Sequence, residues 1–307
     1  MVLDAETGAY IDRLRRRGLV PLEEQTVAQA RAVGPIVAAR IGPGPEVSRC
    51  RDVAFNGIPE PAIRLLQPSG RSHGIVVFIH GGGWVLGDAT EIDTLGRILA
   101  NRTGCTVALV NYRKAPEHPH PAAVDDCWRA VSWVARHADE LSETGAPLIV
   151  GGESAGGNLA AVTALRARDE GWPRIDLQLL VCPIVDADYD TPSYLDDSNQ
   201  LTLTRSGMRW FWDQYAPAHR RTEQTVSPLR ASGHAGLPAS VVLIAEHDVL
   251  RSEDERYVQA LRTAGVDVRC QTFPGQMHGF FSMINILPGS VDGISYAVDQ
   301  IKAVLHN

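Results

Sequence analysis

A serine hydroxyl is a weak nucleophile until a base stands beside it and hydrogen-bond donors surround the oxygen that it creates. Residues 151–157 read Gly-Gly-Glu-Ser-Ala-Gly-Gly. The G-x-S-x-G within them lies between an apolar run at 148–150 and a helix-prone stretch at 155–168. In that setting the pattern predicts a sharp strand-to-helix turn that lifts the serine above a sheet. Glycines flank it because side chains there would collide with neighbouring backbone. Ser154 is the candidate nucleophile. The helix N-terminus that follows puts the Ala155 amide and a positive dipole end where an oxyanion can form. A second glycine-rich segment, His80-Gly81-Gly82-Gly83-Trp84, follows the apolar run 75–79. Consecutive glycines lose backbone entropy on folding, so bare backbone is needed there. N–H groups aimed at a reacting carbonyl supply such a need, which makes Gly82 and Gly83, with Ala155, the candidate oxyanion donors. His80 reads as a structural tie for this loop, and the G-x-x-x-x-G-K-[ST] phosphate loop is absent.

A nucleophile on such a turn takes its acid and base from loops after later strands, the acid first. The run 240–245 ends in Glu246-His247-Asp248, and the run 267–273 ends in a loop carrying Met277-His278-Gly279. Asp248 and His278 occupy these loops in the required order. Glu246 and Asp254 are nearby alternatives for the acid, while His247 would sit on the acid loop. The chemistry is proton removal from Ser154 by His278, an imidazole held in its tautomer by Asp248, and an oxyanion stabilised by loop amides. Neither HExxH nor a paired Cys/His spacing occurs, so no metal or other cofactor is expected.

These residues need a frame. Short runs rich in Val, Ile and Leu at 75–79, 106–110, 148–150, 177–182 and 240–245 alternate with helical periods at 90–102, 122–137, 155–168 and 253–264. Apolar strands separated by amphipathic helices predict a parallel sheet covered on both faces, an α/β fold. Segments 51–55 and 62–67 follow each other through Asn56-Gly57 and predict an antiparallel hairpin. Two regions break the alternation. Residues 1–45 look helical without a strand partner, and about 186–226 form a long polar and aromatic insertion inside the catalytic domain, 46–307. A connection of that length is usually functional. Within it Met208, Phe211, Trp212 and Tyr215 share one helical face. That face must pack on the main domain. In a sharper reading it also lids a substrate pocket, whose candidate lining is Trp84, Met208, Phe211 and Trp212.

The 307 residues are 44% hydrophobic and 21% charged, enough to bury a large core. A net charge of -7 argues against nucleic-acid or anionic-membrane partners. The basic group Arg13 with Arg15–Arg17 reads as the solvated face of a short helix. Five scattered cysteines, Cys50, Cys105, Cys127, Cys182 and Cys270, fit a reducing cytoplasm better than a disulfide framework. The first twenty residues lack the apolar core of a signal peptide, and no run is long enough to cross a bilayer. A cytoplasmic location without stable membrane insertion is expected, and a homo-oligomer is left open.

On these residues the sequence resembles the hormone-sensitive-lipase-like family of bacterial esterases within the α/β-hydrolase fold. The similarity rests on HGGGW at 80–84, NYRKAPEHPHPAAVDDCWRAVSWV at 111–134, GESAGG at 152–157, SPLRA at 227–231, HDVLRSEDE at 247–255 and MHGF at 277–280. It implies an eight-stranded sheet, a cap built from the N-terminal helices (1–45) and the 186–226 insertion, and cofactor-free hydrolysis of short-chain acyl and aryl esters. It further implies that Glu117 and its loop buttress the nucleophile region. Glu153, Val249 and Lys114 depart from the usual Asp, Pro and Leu of that family, and none of the three removes a catalytic group. An amidase or a deacetylase for one metabolite remains the competing catalytic reading. The resemblance extends to plant gibberellin receptors, non-catalytic small-ligand binders that lack the histidine present here as His278.

Overall fold

The computed structural model of the chain describes residues 2–18, 20–56 and 62–306. Eight strands form one sheet: β1 (Arg49–Val53), β2 (Ile63–Gln67), β3 (Ile75–Ile79), β4 (Thr106–Val110), β5 (Leu148–Glu153), β6 (Leu177–Val181), β7 (Ala239–His247) and β8 (Val268–Met277). Their spatial order is β1-β2-β4-β3-β5-β6-β7-β8. Strand β2 runs antiparallel to both of its neighbours, and every later pairing is parallel. The hairpin register pairs Arg49 with Gln67 and Val53 with Ile63. Gly57 of its expected turn lies outside the described residues.

The central strands read as unbroken apolar runs because helices cover both faces. The helices are α1 (Ala5–Arg16), α2 (Val27–Arg31), α3 (Val33–Ile41), α4 (Asp93–Thr103), α5 (Ala122–Arg136), α6 (Ala138–Leu141), α7 (Ala155–Glu170), α8 (Pro192–Leu195), α9 (Arg205–Tyr215), α10 (Arg251–Thr263) and α11 (Gly289–Leu305). Successive side chains of a strand point to opposite faces. Ile75, Val77 and Ile79 therefore enter one core, with residues of α5, α7, α9 and α10. Val76 and Phe78 enter the other, with residues of α1, α4 and α11. Helix α7 is buried over almost its whole length, so it carries Ala, Leu and Val around most of its circumference rather than along one stripe.

The order β4-β3-β5 makes β3 and β5 neighbours whose chains leave in different directions. A crevice opens beyond the carboxyl ends of strands at such a switch point. Here β3 ends in the glycine loop and β5 ends at Ser154. Two peripheral pieces lie above that crevice. Helix α1, capped by Asp4, is tied to the end of β8 by Asp4 N–H to the Gly275 carbonyl at 3.2 Å and Gln276 Nε2 to Asp4 Oδ2 at 2.6 Å. Helix α9 is capped by Thr204, which accepts from Gly207 N–H at 2.9 Å, and meets the N-terminal segment where Ser206 Oγ donates to Glu23. Among the described residues no helix is long and apolar enough to cross a membrane.

Candidate active site

Ser154 sits between β5 and α7 at φ 59 and ψ -119. Such a conformation costs a non-glycine residue about 1–3 kcal/mol and persists only where neighbours enforce it. The Ser154 N–H donates to the Val181 carbonyl at 2.8 Å, and the Ser154 carbonyl accepts from Asn158 at 2.9 Å and Ile184 at 3.2 Å. Space enforces it too. A methyl group on Gly152 would come within 2.4 Å of Gly156 backbone, and one on Gly156 within 2.0 Å of the Ile79 carbonyl oxygen. The glycines on either side of the serine allow β3, β5 and α7 to meet this closely.

His278, in the loop after β8, faces Ser154 with Nε2 at 3.0 Å from Oγ. Its Nδ1 donates to Asp248 Oδ2 at 2.6 Å. Asp248 is buried, and its other oxygen accepts from Leu250 N–H at 3.0 Å. Glu246 is committed elsewhere, accepting from Gly275 N–H at 2.7 Å, while Asp254 is fully enclosed without a hydrogen-bond partner among the described residues. Of the carboxylates weighed on this loop, Asp248 is the one that reaches the histidine. Burial pulls the His278 imidazole down, but the charge and hydrogen bond of Asp248, aided by Glu153, outweigh it and raise its pKa above the ordinary histidine value. Glu153 is itself buried against the site. Enclosure raises its carboxyl, Ser282 and His278 oppose the rise, and its Oε1 has no partner among the described residues.

The glycine loop lies against the serine: a methyl group on Gly81 would stand 3.5 Å from Ser154 Cβ. Gly82, Gly83 and Trp84 follow one another at φ 99, 58 and 61. Val85 and Leu86 N–H donate back to the Gly82 carbonyl at 3.0 and 2.8 Å. The N–H groups of Gly82, Gly83 and Ala155 donate to no carbonyl among the described residues. His80 is buried beneath the loop, its Nδ1 donating to the Gly81 carbonyl at 2.8 Å and its ring stacked on Tyr112. Burial, with the Lys114 charge, lowers it to about 4, so it stands as a neutral donor.

Ser154 and His278 open into a cavity of about 560 Å³. Met208 and Phe211 line it, and the Phe211 ring covers Gly83 so closely that a methyl group there would approach it to 2.1 Å. Trp84 and Trp212 do not line it, contrary to expectation. Trp84 turns at its positive φ into the core behind the loop, stacked on Tyr215 with ring centroids 4.1 Å apart and packed on Trp212 at 4.7 Å. The aromatic face of α9 thus splits: its Met208–Phe211 part meets the cavity, and its Trp212–Tyr215 part holds the glycine loop from behind. The N-terminal helices supply a further wall, with Tyr10, Leu14, Val37 and Ile41 on the cavity. Val33, Val37 and Ile41 are spaced four apart, a helical signal that was present in the sequence.

Glu117 is exposed at the edge of this region. It receives two hydrogen bonds from Arg31 of α2, at 2.8 and 2.7 Å, and this pairing holds its carboxyl down at about 2. Arg31 donates further to the Val85 and Ala115 carbonyls, both at 2.9 Å. The loop therefore clamps an N-terminal helix to the region behind the glycines. Lys114 lies close by, donating to Asn111 Oδ1 at 3.3 Å; burial lowers its pKa while the Asp88 carboxylate opposes the fall. Asp88 and Glu91 give this end of an otherwise largely apolar cavity its polar lining.

A family described as the alpha/beta hydrolase fold matches residues 76–282. Carboxylesterase NlhH of Mycobacterium tuberculosis is 35% identical over 262 residues, which cover 83% of this chain and 82% of that protein. Carboxylic ester hydrolase LipN of the same species is 38% identical over 279 residues, 86% of this chain and 73% of its own. Among solved structures, the ester-hydrolase EH1AB1 from the metagenome of Lake Arreo, complexed with a derivative of bipyridine phosphonate, superposes with a TM-score of 0.90 at 33% identity, covering the whole of both chains.

Proposed function

Since the chain belongs to the hormone-sensitive-lipase-like family of the α/β-hydrolase fold, we propose that its hydrolysis of carboxylic esters runs through an acyl-enzyme on Ser154. The observation that supports this most is the relay from Asp248 to His278 to Ser154, with links of 2.6 and 3.0 Å, opening into an apolar cavity. In this reading Ser154 Oγ attacks the ester carbonyl as His278 Nε2 takes its proton. The Gly82, Gly83 and Ala155 N–H groups receive the oxyanion, which such donors stabilise by about 2.7–4 kcal/mol each in comparable sites. His278 then protonates the departing alcohol, and a water repeats the sequence to release the acid.

Substrates in this reading are short-chain acyl or aryl esters, in keeping with a cavity of about 560 Å³. The N-terminal helices and the insertion act as its cap. The intact histidine argues against a receptor without catalysis, and the ester-hydrolase relatives argue against amide substrates. Five cysteines without a disulfide suit a reducing, cytoplasmic setting. Replacing Ser154 with alanine tests the reading. Turnover of 4-nitrophenyl acetate should fall by about a millionfold with an unchanged melting curve, whereas activity within tenfold of wild type, in protein freed of contaminating esterase, would rule out Ser154 as nucleophile.

A further inference from the structure

The sequence has no paired cysteine or histidine spacing, yet folding brings a soft ligand to the back of the site. Cys182 follows β6 at φ 42 and is fully buried. Its Sγ, a carboxylate oxygen of Asp248 and a ring nitrogen of His278 lie within 4.8 Å of one another. Sulfur, imidazole nitrogen and carboxylate oxygen are the donors that zinc and its heavier congeners take. Without an ion the thiol stays protonated: burial first, then the nearby carboxyl groups of Asp248, Asp254 and Glu153, push it well above its ordinary value. Asp254 is completely enclosed, with neither oxygen hydrogen-bonded among the described residues.

We propose that Cys182, Asp248 and His278 form an inhibitory site for a thiophilic divalent cation of the zinc and cadmium class. The ion binds the Cys182 thiolate, the Asp248 carboxylate and His278 Nδ1, the ring nitrogen already aimed at Asp248. The thiol proton leaves to solvent. The Nδ1 proton is displaced and taken up at Nε2, so the imidazole stays neutral but no longer offers Ser154 a lone pair. One proton is released for each ion bound, and hydrolysis stops because the base is locked in the wrong tautomer. Zinc bonds of about 2.0–2.3 Å set tetrahedral donor atoms about 3.5 Å apart, so the sulfur of a trio spanning up to 4.8 Å must draw in, while Asp248 and His278 Nδ1, 2.6 Å apart, must open as the ion replaces the proton between them. Cys182 and Asp248 lie behind the imidazole, outside the cavity lining. An ion must pass His278 to reach them, and inhibition develops slowly for that reason.

Cadmium chloride is the probe, applied to the full chain with Cys50→Ser and Cys270→Ser to silence the exposed and half-buried thiols. Ester hydrolysis should decay with time of exposure, return on adding chelator, and be indifferent to chelator alone. A thiolate-to-cadmium charge-transfer band should rise at one ion per chain, also in the inactive Ser154→Ala protein, which reads binding independently of catalysis. Cys182→Ala should retain its metal-free turnover, lose the band and weaken inhibition by more than about a hundredfold, since even outer partners of a metal site are worth about ten- to a hundredfold. Cys182→Ser substitutes for it if the alanine protein melts early. Equal inhibition with and without Cys182, or no band in the Ser154→Ala protein at saturating cadmium, would overturn the proposal.

Discussion

With His278 as the proposed base, the pH dependence of hydrolysis follows from influences of opposite sign on its ring. Burial favours the neutral ring, while Asp248 and then Glu153 favour the imidazolium and prevail. A general base works only when neutral, so activity should fall with pH on a limb whose midpoint lies above the ordinary histidine value of about 6.5. Asp248→Asn leaves burial opposed by Glu153 alone. The midpoint of that variant should therefore move to lower pH while turnover drops by about ten-thousandfold. A profile of kcat/KM against pH checks both, and an unshifted or raised midpoint in the variant would contradict this balance. At this scale the sequence was informative wherever spacing encodes chemistry. Ser154, Asp248 and His278 stand out because a strand-turn-helix pattern and two strand-end loops fix their order. Trp84 and Trp212 misled because an aromatic near a catalytic motif looks the same whether it faces substrate or core. Here the positive φ of Trp84, invisible in the residue type, decides which.

Among the elements, the three N-terminal helices and α9 line the cavity and are proposed to limit its depth. If they close the acyl end, each methylene within reach should add at most about 0.8 kcal/mol, and longer chains must stay wet or part the cap. Acetyl to hexanoyl esters should therefore exceed palmitoyl esters in kcat/KM. Phe211→Ala removes the ring that covers Gly83 and should move the optimum toward longer chains. A chain-length series on both proteins decides it, and a wild-type optimum at palmitoyl or an unmoved optimum in the variant would refute the cap as the limit. Both pieces were legible as departures from the main pattern, since residues 1–45 lacked strand partners and 186–226 broke the alternation. Their docking was not, because Arg31 meets Glu117 across a separation in sequence that no local pattern records.

For the whole molecule, the eight-stranded sheet is a device for bringing the ends of β3 and β5 side by side. The alternation of apolar runs and helical periods made its class legible. The number of strands came from the family resemblance, while their order was legible in neither resemblance nor pattern, because pairing β3 between β4 and β5 is a long-range choice. The tightest point of the frame is Gly156, where an added methyl group would meet the Ile79 carbonyl oxygen at 2.0 Å. Gly156→Ala should destabilise the protein by about 1–3 kcal/mol or more, measured by urea unfolding. Unchanged stability would mean that the turn yields more easily than its packing indicates. Ester hydrolysis is proposed to pass through a covalent bond to Ser154. Titration with a 4-nitrophenyl alkylphosphonate, following residual activity and mapping the adduct by mass spectrometry, tests it most directly. Activity should vanish in proportion to labelling, at one phosphonyl group per chain on the peptide containing Ser154. Labelling elsewhere that abolishes activity with Ser154 unmodified, or full hydrolysis by protein fully modified at Ser154, would contradict it.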